Sequence, residues 1–144
     1  MIIAVDTDVL VNWAMRGAPH HDACRRFVDL TLVEDRKIGL LPQIAFEFLH
    51  IVTDVRRFER PLEIREASNL VRELWDAPEV VRIDTGPLLL HRTLDLLDSF
   101  RLGRRRILDT ALAATLEEAG VTRLATLNGS DFAVFPFLKI VEPN

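Results

Sequence analysis

The chain has 144 residues, 49% of them hydrophobic, which suits one domain over residues 1–144 with a sizeable core of its own. Its only cysteine, Cys24, excludes an internal disulfide and a thiolate metal cluster, and no apolar run is long enough to span a membrane. A net charge of −4 argues against a general nucleic-acid coat protein, although 16 of the 18 basic residues (all but Lys37 and Lys139) are arginine, whose forked guanidinium matches phosphate.

The first residues lack a basic stretch, and Asp6 interrupts their apolar run, so no signal peptide is expected and a cytoplasmic location is. Ile2 to Val5 reads as a buried strand ending at Asp6. Helical texture follows from about Val9 to Met15, until Gly17 and Pro19 break it. His21 to Asp35 is predicted as an amphipathic helix with apolar positions at Phe27, Leu30 and Val33. Lys37 to Leu41 is a second strand. Pro42, a residue favoured in a first helical turn, opens a helix to Arg56. A charged helix runs from Leu62 to Trp75, and Glu79 to Ile83 is a third strand. Leu88 to Phe100 and Ile107 to Ala119 are two more helices, and Gly120 suits the end of the second. Arg123 to Leu127 is a fourth strand and Leu138 to Val141 a fifth. Short apolar strands alternating with helices predict an α/β fold with a mostly parallel sheet, whose ligands bind outside the carboxyl ends of the strands.

The acidic residues fall where that rule looks. Asp6 ends the first strand. Asp8 opens the first helix, either as its cap, as an ordinary first-turn acid or as part of a site. Glu47 lies in the apolar stripe of Ile44, Phe48, Ile51, Val52 and Val55, where a carboxylate is costly unless paired or metal-bound. Asp109 stands in the first turn of a small-residue helix. Thr126-Leu127-Asn128-Gly129-Ser130-Asp131 follows the fourth strand, with turn-forming chemistry of its own. Converging carboxylates raise one another's pKa, and a cation resolves the repulsion. All-oxygen ligands suit Mg²⁺ or Mn²⁺, which points to metal-assisted phosphodiester hydrolysis without naming the substrate.

Four segments, in order, resemble the PIN domain family, and within it the VapC-type toxins of bacterial toxin–antitoxin pairs. They are Val5-Asp6-Thr7-Asp8-Val9-Leu10, Pro42 to Phe48 with its glutamate, Leu108-Asp109 with its alanine-rich continuation, and Leu124 to Asn128 through Asp131-Phe132. The resemblance implies a three-layer sandwich of four or five mostly parallel strands with helices on both faces. It implies Mg²⁺- or Mn²⁺-dependent endonucleolytic cleavage of RNA, a homodimer, and a cognate VapB-like antitoxin that blocks the site. By analogy Asp6, Glu47 and Asp109 bind the metal or position its water, and Thr7 supports them. Many family members carry an aspartate two residues after the strand-end threonine, here Thr126. This chain has Asn128 there, an amide that brings no charge, which leaves Asp131 as the candidate fourth carboxylate and metal ligand. Arg101, Arg104, Arg105 and Arg106 lie just before Asp109 and are candidates for contacts to RNA phosphates.

Other readings compete. A haloacid-dehalogenase-like phosphatase also begins with paired aspartates after a strand, and a receiver domain is also acidic at its strand ends. Both need a late lysine that Lys37 and Lys139 do not supply. A non-catalytic interaction module is kept open by Asn128. The four histidines show no pair at metal spacing, and no glycine-rich phosphate loop is present.

Overall fold

The computed structural model describes residues 1–144. Its strands are β1 (Ile2–Val5), β2 (Lys37–Leu40), β3 (Val80–Arg82), β4 (Arg123–Ala125) and β5 (Lys139–Val141). Its helices are α1 (Thr7–Ala14), α2 (His21–Val33), α3 (Pro42–Val52), α4 (Ile64–Asp76), α5 (Leu89–Ser99) and α6 (Ile107–Ala119). Single 3₁₀ turns at Arg104–Arg106 and Gly129–Asp131 complete it.

The strands form one sheet in the order β3-β2-β1-β4-β5, and every pairing is parallel. Strands buried on both faces need no alternating pattern, which is why Ile3, Ala4 and Val5 are all buried. The chain moves outward from β1 through β2 to β3, then returns to the other side of β1 at β4. Right-handed crossovers then place α1 to α4 on one face and α5 and α6 on the other. The packing agrees: α1 lies against α2 and α3, α3 against α4, and α5 against α6. The core is one cluster of 27 buried apolar residues, with Phe48, Phe132 and Phe135 its largest members. Gly39 in β2 has no space for a side chain, since a Cβ there would stand 2.6 Å from Ile83 and 3.3 Å from the Cα of Ala4. Gly120 ends α6 at φ 73°, a left-handed conformation that glycine adopts without strain.

Two sequence expectations fail in detail. The helix at Pro42 stops at Val52 rather than Arg56, and Val55 lies exposed in the following turn instead of extending the apolar stripe. On α2 the buried positions are Cys24 and Thr31, whereas Leu30 and Val33 are exposed. Thr31 satisfies its hydroxyl by donating to the Phe27 carbonyl at 2.7 Å, so a polar residue occupies the inner face at little cost. An apolar-only template cannot register a threonine that bonds to its own helix.

Candidate acidic site

The reversal of strand direction around β1 leaves a crevice outside the carboxyl ends of β1 and β4, the position at which parallel α/β sheets bind ligands. Asp6 stands there. Its backbone N–H donates to the Ala125 carbonyl of β4 at 2.9 Å, and its extended conformation makes it, rather than Asp8, the N-cap of α1. Its Oδ1 accepts from the Thr7 N–H and its Oδ2 from the Thr126 hydroxyl, both at 2.8 Å. Two strand ends and a helix start therefore hold one carboxylate.

Glu47 reaches the same place from α3. Its Oε2 accepts from the Thr7 hydroxyl at 2.6 Å, and its Oε1 accepts from Gln43 Nε2 at 3.1 Å. Asp109, in the first turn of α6, completes a cleft lined also by Asp6, Gln43, Glu47, Arg104 and Arg105. A continuous depression carries Thr7, Asp8 and Asn128 beside Asp6, Glu47 and Asp109. No motif in the sequence singles out Gln43. Its one signal is spacing, because a side chain four residues before Glu47 on a helix shares its face.

The fourth predicted carboxylate takes a different position. Asp131 lies in the 3₁₀ turn after β4, where its carbonyl accepts from Arg106 Nη2 and its Oδ1 stands 3.6 Å from Arg106 Nη1. It does not line the cleft, yet its charge reaches both Asp6 and Asp109. Arg106 is thus committed to a bond inside the protein. Arg104 and Arg105 are exposed at the cleft, whereas Arg101 sits in a left-handed turn (φ 52°) after α5 and does not line it.

The electrostatics follow from this crowding. Burial holds the Asp6 carboxyl above the usual carboxylate range, opposed by its bonds from Thr126 and Thr7 and reinforced by Glu47 and Asp131. Burial, and then the Asp6 and Asp131 charges, push Asp109 up to about 6, with Arg106 pulling the other way. Burial and the Asp6 charge likewise push Asp8 up to about 6. These acids resist ionising together, which is the condition a divalent cation relieves.

The donor set of Asp6, Glu47 and Asp109 is all oxygen, which suits a hard cation. No three acidic, histidine or cysteine side chains close into a ready-made cage. An ion such as Mg²⁺, which keeps several waters and also uses substrate phosphates, does not require such a cage. Asp8 Oδ1 adds a buried oxygen that has no hydrogen-bond partner. The two lysines lie at the opposite edge, since Lys37 and Lys139 begin β2 and β5, so the lysine-dependent phosphatase and receiver arrangements have no counterpart here.

No family model matches the chain. Individual proteins do. The chain is 31% identical to Ribonuclease VapC33 of Mycobacterium tuberculosis over 144 residues, covering 99% of this chain and 98% of that one. It is 25% identical to Ribonuclease VapC24 of the same species over 142 residues, covering 99% and 97%. Among solved structures it resembles that of VapBC2 from Rickettsia felis bound to a promoter DNA fragment, with a TM-score of 0.71 at 16% identity and full coverage of both chains. It also resembles VapC20 of M. tuberculosis, a toxin that cleaves the sarcin–ricin loop, with a TM-score of 0.70 at 13% identity over 94% of this chain and 95% of that one. The structural likeness fixes the fold as that of these toxins, and with the sequence identity over nearly the whole of both chains, the chain belongs to the PIN-domain VapC ribonuclease family.

Proposed function

We propose that the chain is the toxin of a type II toxin–antitoxin pair, an endoribonuclease that hydrolyses RNA phosphodiester bonds with Mg²⁺ or Mn²⁺. The observation that carries the reading is the meeting of Asp6, Glu47 and Asp109 in one cleft at the sheet's switch point. These three residues would hold the ion. When bound, it supplies Lewis acidity toward a phosphodiester and an attacking water.

The chain's own residues do the rest. Thr7 and Gln43 fix the Glu47 carboxylate, and Thr126 and the Thr7 N–H fix Asp6, so their oxygens are oriented before substrate arrives. Arg104 and Arg105 are exposed and line the cleft with Asp109, where they would meet the RNA backbone. Asp131 and Arg106 brace the start of α6 against the turn after β4.

The solved VapBC2 structure holds toxin with antitoxin, which supports a VapB-like protein as the partner of this chain. Exposed Phe46 on α3 and Leu108 at the cleft, at 67% and 64%, support a homodimer, because a second copy would cover such apolar surface. No helix is long and apolar enough to cross a membrane.

The test is incubation of the full chain with mixed RNA in Mg²⁺, in chelator, and as Asp6→Asn. Cleavage that needs both the metal and Asp6 is the expected result. Asn128 favours the second reading, a non-catalytic interaction module. Absence of both cleavage and metal binding would overturn the nuclease reading and favour that module.

A further inference from the structure

Asn128 is a neutral amide among the acids of the cleft, yet its side chain is not idle. Asn128 Nδ2 donates to Asp8 Oδ2 at 2.8 Å, and the same oxygen accepts from the Leu127 N–H at 3.1 Å. The Asn128 N–H donates to the Thr126 hydroxyl at 3.1 Å, which in turn donates to Asp6. Asn128 is exposed and lines the same depression as Asp6, Glu47 and Asp109.

Because the amide nitrogen donates to Asp8, the Asn128 oxygen is the free end of the side chain. Asn128 therefore offers an oxygen, as an aspartate would, in the depression that Asp6, Glu47 and Asp109 also line. We propose that Asp8 is a positioning residue of the acidic site, orienting the Asn128 amide so that its oxygen is left for a bound cation. The inference rests on the metal-dependent reading of the site.

Mn²⁺ binding by titration calorimetry tests it on the full chain without reference to activity. Asp8→Asn and Asn128→Ala are each expected to weaken Mn²⁺ binding by about 10- to 100-fold, the usual loss when a partner of a metal-binding group is removed. The exchanged double variant, Asp8→Asn with Asn128→Asp, is expected to return within about threefold of the parent. Asn128 is exposed, so Asn128→Ala keeps the test valid even where Asp8→Asn does not fold. Unchanged Mn²⁺ affinity in either folded single variant overturns the proposal and leaves Asp8 a first-turn acid. Parent protein that binds no Mn²⁺ overturns the metal reading, and the proposal with it. Parent binding with indifferent variants removes the proposal alone.

Discussion

Asp6 serves two ends with one side chain. It caps α1 through the Thr7 N–H and presents its other oxygen beside Glu47 and Asp109, where Thr126 steadies it. Capping and chemistry are compatible because the N-terminal helix dipole favours an ionised carboxylate that its neighbours oppose. Asp109 also stands in a first helical turn, yet burial and the charges of Asp6 and Asp131 push its carboxyl up to about 6. Asp109→Asn is expected to lower metal-dependent cleavage by about a hundredfold or more, since losing several kcal/mol of transition-state stabilisation costs tenfold per 1.4 kcal/mol. It should also raise the melting temperature of the metal-free protein by a few degrees, because one repelling charge is gone. A thermal scan in chelator reads this directly, and a lowered melting temperature would mean that Asp109 is structural. Thr7→Val removes the bond that fixes Glu47 but leaves the carboxylate in place. Cleavage is expected to fall about tenfold, as for loss of other groups that orient a ligand.

At the scale of elements, α2 and α6 depend on details that apolar periodicity does not carry. α2 turns Cys24 and Thr31 inward against α1. Burial, and then the Asp8 charge, push the Cys24 thiol up to about 11. The thiolate is the reactive form, so iodoacetamide should label Cys24 slowly in native protein at pH 8.5 and readily in urea. Equal rates by mass spectrometry would mean that α2 detaches. The arginines before α6 divide by task. Replacing Arg104 and Arg105 with alanine should weaken RNA binding and flatten its salt dependence, by about 0.7 in the logarithmic slope for each phosphate of a single strand that is no longer neutralised. Arg106→Ala should instead cost about 1–3 kcal/mol of stability, because the Asp131 carbonyl loses its partner, as chemical denaturation would show.

At the scale of the whole molecule, the site exists because the topology reverses at β1. Asp6 and the Thr126–Asn128 segment are about 120 residues apart in sequence, yet Thr126 and Asp6 share a hydrogen bond. A cation bound only by the folded chain stabilises it by mass action, about 2.7 kcal/mol at a hundredfold excess over Kd. Mg²⁺ should therefore raise the melting temperature of the parent, chelator should reverse the gain, and Asp6→Asn should abolish it. A melting temperature indifferent to Mg²⁺ in the parent would count against the acidic cleft as a metal site.

The parallel α/β architecture was legible in the chain itself, because apolar runs alternate with amphipathic helices, and α6 runs between the predicted residues, Ile107 and Ala119. Asp6 and Glu47 stood out for local reasons, a strand end and a charge within an apolar stripe. Other parts of the site depend on distance in space. The bond from Thr7 to Glu47 spans 40 residues, that from Asn128 to Asp8 spans 120, and the bond from Arg106 to Asp131 spans 25. Periodicity reports which face of an element is buried, not which element faces it. Only the sheet order, with β4 beside β1, decided that Asp8 would meet Asn128, and only the packing of the turn after β4 against the start of α6 brought Asp131 to Arg106.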